Sequence, residues 1–284
     1  MIYELFNFYN EFDMLELKLQ EHYHHVDCFI ICESNRSSTQ VPKEYRLKKE
    51  LDSRYAQWRD KITLLEFDAA GLESGWPTFN AQRNYQIKNQ NFHPNDILLF
   101  SDLDELLLPA DWQWIKQLTP TKIKNVIRFE SELYWCYADM KHNVKQCCTS
   151  LVTGTTLKQP AELRKQNPEQ ISQATPPEWI IKQGGVHLSW FVTKEQMKEK
   201  IHGSIEAHTW GEALNKSKEE IEEWCWKQKQ SGKLFEHKAK FKLGKIKKIP
   251  LEDNTIFTDS MKEFIKKHPE WLFLKNFQVG QTNG

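Results

Sequence analysis

Short apolar runs alternate with longer helical patterns along the first hundred residues, and this alternation constrains the fold more than any other feature. The runs are VDCFIIC, KITLLEF and ILLF, which begin at residues 26, 61 and 97. Between them lie segments with apolar residues at helical spacing, such as DMLELKLQEHYHH from residue 13. Strands that alternate with helices predict an α/β domain with a mainly parallel sheet.

Composition excludes several classes of protein. The 39 basic and 39 acidic side chains balance, so no nucleic-acid partner is predicted. The six cysteines show no zinc-site spacing and are expected to be free thiols in a reducing compartment. The N-terminus lacks the pattern of a signal peptide, and no stretch approaches the roughly 20 apolar residues of a membrane span. We therefore expect a soluble, cytoplasmic protein.

Three carboxylates, Asp102, Asp104 and Glu105, directly follow the run ILLF. Ligands of open α/β sheets bind at the carboxyl ends of the strands. Side chains two positions apart in extended backbone point the same way, so Asp102 and Asp104 can converge on one site. Two carboxylates suit Mg²⁺ or Mn²⁺, which keeps positions open for phosphate oxygens. We predict a cation at this pair, with Glu105 orienting it or capping the next helix.

Two enzyme classes place an Asp-x-Asp pair at a strand end. One is the metal-dependent nucleotide-sugar transferase, in which Arg83 of the preceding helix would donate to a diphosphate, although a surface ion pair explains Arg83 equally well. The other is the haloacid-dehalogenase-type phosphatase, with Asp102 as nucleophile and Asp104 as acid and base. That class opens its chain with this strand and a Gly-Thr turn, whereas here the strand begins at residue 97 and Glu105 follows. The pattern favours the transferase.

Longer motifs resemble glycosyltransferase family 17. They are FNFYNEFDMLELKLQEHYHHVDCFIICESN, QRN, NDILLFSDLDE and GGVHLSWF, which occur in the family's order from residue 2 to about residue 215. The resemblance implies a GT-A fold, which is a Rossmann-like α/β domain, together with a nucleotide-sugar donor and inverting transfer. One local departure concerns the loop after the acidic pair, where the family often has Asp-Glu-Ile-Pro and this chain has three leucines before Pro109.

The resemblance also implies roles for individual residues. His187 and Trp190 fall in the family's HLSW segment, with His187 a candidate catalytic residue. The general base would be Glu206 or Glu212, with Glu130, Glu132 and Asp139 as competitors. The implied metal ligands for Mn²⁺ or Mg²⁺ are Asp102, Asp104 and His208. The implied donor-binding residues are Glu33, Ser34, Asn35, Arg83, Asn84, Asp102 and Lys200.

The sequence thus predicts a GT-A domain over residues 1–250, with a nucleotide-binding half (1–110), an acceptor-side half (111–250) and a helical extension (251–284). The lysines of residues 233–248 are either a solvated face or a peripheral contact with anionic lipid. The expected reaction moves a sugar, with UDP-GlcNAc the expected donor, to a hydroxyl of a glycan. The alternatives are the phosphatase and a non-catalytic glycan-binding protein on a transferase scaffold.

Overall fold

The computed structural model describes residues 1–164, 179–203, 216–230 and 246–273. The chain divides into two compact units, each described by itself. Unit 1 comprises residues 1–131 and 146–185, and unit 2 comprises residues 132–145 and 186–284. The domain boundaries at residues 110 and 250 stay a prediction.

Unit 1 is built on a sheet flanked by helices. Its helices are α1 (Phe12–His22), α2 (Leu47–Glu50), α3 (Trp76–Tyr85), α4 (Pro109–Lys116) and α5 (Pro160–Leu163), and 3-10 turns span Ala56–Lys61, Pro120–Lys122 and Gly154–Thr156. Its strands are β1 (Ile2–Phe8), β2 (Cys28–Ser34), β3 (Ile62–Phe67), β4 (Ile97–Phe100) and β5 (Glu105–Leu106), with parts of β6 (Val126–Trp135), β7 (Met140–Thr153) and β8 (Trp179–Ser189).

The first four strands are all parallel and lie in the order β3-β2-β1-β4. In chain order the sheet grows from β1 through β2 to β3, and β4 then adds on the other side of β1. The part of β7 in this unit extends the sheet antiparallel to β4. The predicted class, a GT-A-type α/β fold with a mainly parallel sheet, is confirmed by this arrangement. The three apolar runs predict β2, β3 and β4. The strand β1, which lies between β2 and β4, is not among the strands that they predict.

A buried ionic cluster joins β1, α1 and the loop after β4. Glu4 of β1 pairs with Lys18 Nζ at 3.0 Å and with His22 Nδ1 at 2.7 Å, and all three side chains are buried. Lys18 Nζ also donates to Ser101 Oγ at 3.0 Å and to the carbonyl oxygens of Asp102 at 3.0 Å and Glu105 at 2.7 Å. The lysine therefore holds the acidic loop by its backbone.

His22 completes this cluster at the far end of the loop. Its Nε2 accepts from the backbone N–H of Leu107 at 3.1 Å, and its ring packs edge-on against Trp112 of α4. Burial alone would raise the pKa of Glu4, but His22 and Lys18 together lower it to about 2. The carboxylate is thus charged at neutral pH.

Unit 2 contains the remaining described elements. It holds α6 (Lys194–Gly203), α7 (Lys218–Gln230), β9 (Ile246–Lys248), α8 (Asp259–Lys266), 3-10 turns at Leu251–Asp253 and Pro269–Trp271, and the rest of β6, β7 and β8. Its core includes the buried Lys229, whose Nζ donates to the carbonyl of Val192 and lies 5.0 Å from the ring centre of Tyr137. Burial lowers the pKa of Lys229 to about 8.

No helix in the described part of the chain is long and apolar enough to cross a membrane. Of the lysine-rich residues 233–248, only the last three lie in the described part, so the predicted lipid contact stays a prediction.

Removing the charge of Glu4 should be strongly destabilising. In Glu4→Gln, Lys18 stays buried without its carboxylate, which is expected to cost about 3–5 kcal/mol of unfolding free energy. Urea denaturation at pH 7 measures this. The matched control is Glu44→Gln, because Glu44 forms an exposed ion pair with Lys49 and its loss should leave stability almost unchanged.

The stability difference between wild type and Glu4→Gln should also depend on pH. A carboxyl whose folded pKa lies below its unfolded value stabilises the fold above the unfolded pKa and loses that contribution as pH falls through the folded pKa. The stability difference between wild type and Glu4→Gln should therefore be constant above pH 4.5 and narrow toward pH 2. An equal difference at all pH values would contradict the assignment.

Candidate functional site

The strand order of unit 1 reverses between β1 and β4, which makes the carboxyl ends of these two strands a topological switch point. In open α/β sheets such a switch point is where ligands bind. The loop from Ser101 to Leu107 follows β4 at this point and carries Asp102 and Asp104. The apolar side chains of β4 are buried, so the chain can expose carboxylates only after the strand ends. The predicted strand-end position of the acidic pair is confirmed.

Two guanidinium groups converge on the carboxylate of Asp102. Arg83 Nη2 of α3 lies 2.7 Å from Asp102 Oδ1 and 3.1 Å from Oδ2. Arg164 Nη2, which follows α5, lies 2.6 Å from Oδ2. Burial lowers the pKa of Arg83, and the neighbouring Asp102 opposes that shift. Arg83 is thus an ion-pair partner of Asp102 in this structure, and the predicted contact of Arg83 with a diphosphate stays a prediction.

The side chain of Glu105 contacts both Arg164 and the backbone of Asp102. Its buried carboxylate accepts two hydrogen bonds from Arg164, from Nη2 at 2.6 Å and from Nη1 at 2.7 Å. It also accepts from the backbone N–H of Asp102 at 3.0 Å and from Thr149 Oγ1 at 3.3 Å. Glu105 thus contacts the backbone of Asp102 and shares Arg164 with its carboxylate, and the predicted role of Glu105 in orienting the acidic pair stays a prediction.

The position of Arg164 depends on α3. Asn84, next to Arg83, accepts from the backbone N–H of Ala161 at 2.9 Å and so holds the short helix α5. The carbonyl of Leu163 accepts from Ser150 Oγ at 3.0 Å on β7. One helix therefore supplies a guanidinium to Asp102 and also fixes the segment that supplies the second. The predicted contact of Asn84 with a nucleotide stays a prediction.

The carboxyl end of β2 carries the remaining predicted donor residues of this unit. Glu33 is buried, and its carboxylate accepts from Lys43 Nζ at 2.8 Å and from the backbone N–H groups of Arg46 at 2.8 Å and Leu47 at 2.9 Å. Glu33 therefore holds the chain that follows β2 inside the fold, and its predicted contact with a nucleotide stays a prediction.

Ser34 and Asn35 form a turn at the same edge. Ser34 Oγ accepts from the backbone N–H of Arg36 at 3.2 Å. Asn35 bridges to the end of β3, because its Nδ2 donates to Asp68 at 2.7 Å and its Oδ1 accepts from Ala69 at 3.0 Å. The two residues thus shape the edge on which a nucleotide is predicted to lie.

Paired glycines precede the HLSW segment on β8 for a packing reason. A Cβ on Gly184 would lie 2.1 Å from Asp111 Oδ1, and Gly185 has a φ of 76°. The N–H of Gly185 donates to Asp111 Oδ2 at 2.8 Å, and the same oxygen accepts from Leu108 at the start of α4. The glycines let β8 approach the carboxylate that caps this helix.

The predicted site residues of the HLSW region lie in unit 2. His187 is half-buried near the end of β8. Trp190 is buried and has a φ of 63°, which few non-glycine residues adopt, and Lys200 Nζ of α6 lies 5.3 Å from its ring centre. This cation–π contact places Lys200 beside the HLSW segment. Three further predicted residues, Glu206, His208 and Glu212, lie outside the described residues.

The competing candidates for a general base have internal partners. Glu132 accepts from Lys141 at 2.8 Å; burial raises the pKa of Glu132, but the hydrogen bonds and charges of Lys141 and Lys145 lower it overall. Asp139 is buried and accepts from the backbone N–H of Phe273 at 2.9 Å. In unit 1, Glu130 accepts from Gln183. A carboxylate with a lowered pKa is a weak base, so Glu132 is poorly suited to that role.

The described residues do not by themselves fit a metal centre. Within residues 1–164, 179–203, 216–230 and 246–273, no three His, Cys, Asp or Glu side chains group closely enough to hold a metal ion. Both oxygens of Asp102 accept from arginines. The predicted cation at Asp102 and Asp104, with His208, stays a prediction.

The comparison with protein families concerns the part of the chain that carries this loop. Residues 1–136 match the sequence profile of Glycosyltransferase family 17. Over this segment, the chain resembles family 17. The match spans all three acidic residues of the loop, and the resemblance is confirmed there. It ends before the HLSW segment, so the wider resemblance toward residue 215 stays a prediction.

Curated relatives agree with the family. The chain is 26% identical over 109 residues to the β-1,4-mannosyl-glycoprotein 4-β-N-acetylglucosaminyltransferases of Rattus norvegicus and Homo sapiens, covering 35% of this chain and 20% of each relative. The chain therefore spans about a fifth of the length of the curated relatives that it matches.

Two solved structures show a low similarity to this chain. One is the structure of S. aureus TarS 1-349, with a TM-score of 0.38 and 12% identity. The match covers 71% of this chain and 64% of the TarS chain. The other is a mutant of LgtC, with a TM-score of 0.37 and 9% identity. The match covers 63% of this chain and 72% of the LgtC chain.

Several residues that build the site are not among the residues predicted from the sequence. Lys18 and His22 carry a usable signal, because they lie at helical spacing from Met14 on the apolar face of α1, where a charge needs a buried partner. Glu4 within an apolar strand is that partner. Arg164 carries no such signal, because it lies 62 residues from Asp102 in a polar stretch.

Neutralising Glu33 should destabilise the fold. Glu33→Gln removes the charge that compensates the nearly buried Lys43, and we expect a loss of about 3 kcal/mol in urea denaturation. Glu66→Gln is the control, because Glu66 lies beside Glu33 in register on β3 but forms only a partly exposed pair with Lys48 at 3.9 Å. Equal stabilities for the two variants would contradict the structural role of Glu33.

Proposed function

We propose that this protein is a glycosyltransferase that moves a sugar from a nucleotide-sugar donor to a hydroxyl group of a glycan. The observation that carries the proposal is the loop with Asp102 and Asp104 at the switch point of the sheet, beside Arg83 and Arg164, inside the segment that resembles family 17. The name of the curated relatives supports N-acetylglucosamine as the transferred sugar, and a UDP-linked donor is proposed with it.

The donor would lie along the carboxyl edge of β2, β1 and β4. The turn at Ser34 and Asn35 would receive the nucleoside, since it shapes the edge next to the switch point. The diphosphate would lie near Asp102, where two guanidinium groups provide N–H donors suited to phosphate oxygens. This placement uses only residues of unit 1.

The reaction would invert the configuration at the anomeric carbon. An acceptor hydroxyl attacks that carbon while a carboxylate removes its proton, and the bond to the nucleoside diphosphate breaks with its electron pair on the leaving phosphate oxygen. Glu206 and Glu212 stay the proposed bases, with His187 as a further catalytic candidate. Mn²⁺ or Mg²⁺ at Asp102 and Asp104 remains a prediction, and such an ion would offset the charge of the leaving diphosphate.

Replacing Asp104 tests the proposal. Asp104→Ala should abolish both donor hydrolysis and transfer while changing the melting temperature little, because Asp104 is only half-buried. A screen of UDP- and GDP-sugars, measuring release of the nucleoside diphosphate with Mn²⁺ and with EDTA, gives the readout. Asp52→Ala is the control, since Asp52 is an exposed aspartate of the same unit.

The possible results separate the candidate functions. Turnover that needs Mn²⁺ or Mg²⁺ and is lost in Asp104→Ala supports the transferase and its predicted cation. Full activity of Asp104→Ala would contradict the role of the acidic pair. Turnover of p-nitrophenyl phosphate that is lost in Asp102→Asn would instead favour the phosphatase. Glycan binding without turnover of any donor would favour a non-catalytic glycan-binding protein.

A further inference from the structure

Asp102 is the outermost member of a compact charged cluster. Its side chain is 34% exposed, whereas the side chains of Arg83 and Arg164 are 11% and 7% exposed and that of Glu105 is 3% exposed. The two guanidinium groups are therefore largely enclosed by protein, and the carboxylate of Asp102 is the member of the cluster that solvent reaches best.

Both guanidinium groups have supports other than Asp102. Arg164 donates two hydrogen bonds to Glu105, at 2.6 and 2.7 Å, and Glu105 is itself held by Thr149. The guanidinium of Arg83 lies 4.2 Å from the ring centre of Phe79 one turn earlier on α3. Each guanidinium group therefore has a contact within the protein that does not involve Asp102.

The donors of the two arginines meet at one place. The Nη2 atoms of Arg83 and Arg164 lie 2.7 Å and 2.6 Å from the two oxygens of Asp102. A carboxylate and a phosphate group accept from guanidinium groups with similar geometry, but a diphosphate brings more negative charge. The cluster thus has the shape of an anion site that is filled by a side chain of the protein itself.

We infer that Arg83 and Arg164 form a diphosphate site and that Asp102 is its internal competitor, which the diphosphate of the donor displaces. The inference rests on the proposed function, because the donor supplies the diphosphate. A competitor within the protein lowers the apparent affinity by the fraction of molecules in which it occupies the site. Displacement would also release Asp102 from the arginines when the donor arrives.

The test measures binding of inorganic pyrophosphate to the full chain in EDTA by isothermal titration calorimetry. Asp102→Asn removes the competing charge and should bind pyrophosphate about tenfold more tightly than wild type or better. Arg83→Gln in the Asp102→Asn background should reverse most of this gain. The control is Asp52→Asn, which changes the net charge by the same amount at a residue 50 positions before Asp102, and it should leave the affinity unchanged.

A second set of variants tests the role of Arg164. Arg164→Gln in the Asp102→Asn background should also weaken pyrophosphate binding about tenfold. Because this variant leaves Glu105 buried without its arginine, Arg164→Lys is measured beside it, and circular dichroism shows which variants are folded. Inorganic phosphate in place of pyrophosphate should bind more weakly to every variant, since it offers one phosphate group to two arginines.

The outcomes are distinct. Affinity in Asp102→Asn that equals or falls below that of wild type overturns the inference, and so does an absence of binding in every variant. Donor turnover by wild type together with either result would leave the proposed function in place. Tighter pyrophosphate binding by Asp102→Asn, with no turnover of any nucleotide sugar by wild type, would support the anion site and contradict the proposed function.

Discussion

The buried pair of Glu4 and Lys18 is the interaction on which the site depends. A charged lysine inside a protein is costly unless a carboxylate and several acceptors surround it, and Lys18 has both. Its partners on the acidic loop are mainly backbone carbonyl groups. The loop is therefore held by its main chain, and its carboxylates remain available for other contacts.

A second group of ion pairs depends on the buried pair of Glu4 and Lys18. Glu105 is held in the loop by Arg164 and Thr149, and Arg164 in turn reaches Asp102, which also meets Arg83. The two groups are coupled through the loop backbone, because the carbonyl of Glu105 accepts from Lys18 while its carboxylate binds Arg164. A change in the buried pair should therefore affect the geometry around Asp102.

The strand-end position of the acidic pair follows from the sequence, but its contacts do not. An apolar run followed by Asp102 and Asp104 is a local pattern, so its position at a strand end could be predicted. The guanidinium of Arg164 could not be assigned, because its contact with Asp102 arises from the path of the chain between them. Glu33 is a second such case, because its strand-end position does not show that the following segment folds back and encloses its carboxylate.

By itself, the sequence determined the α/β class, the parallel strands β2, β3 and β4 and the acidic loop, because these follow from periodicity and from residues close together in the chain. Only the tertiary structure decided that β1 lies at the centre of the parallel strands, where Glu4 meets Lys18, and that two arginines bracket Asp102. The physical reason is that a buried charge selects its partner by distance in space, and residues far apart in the chain reach that distance only when the sheet has formed.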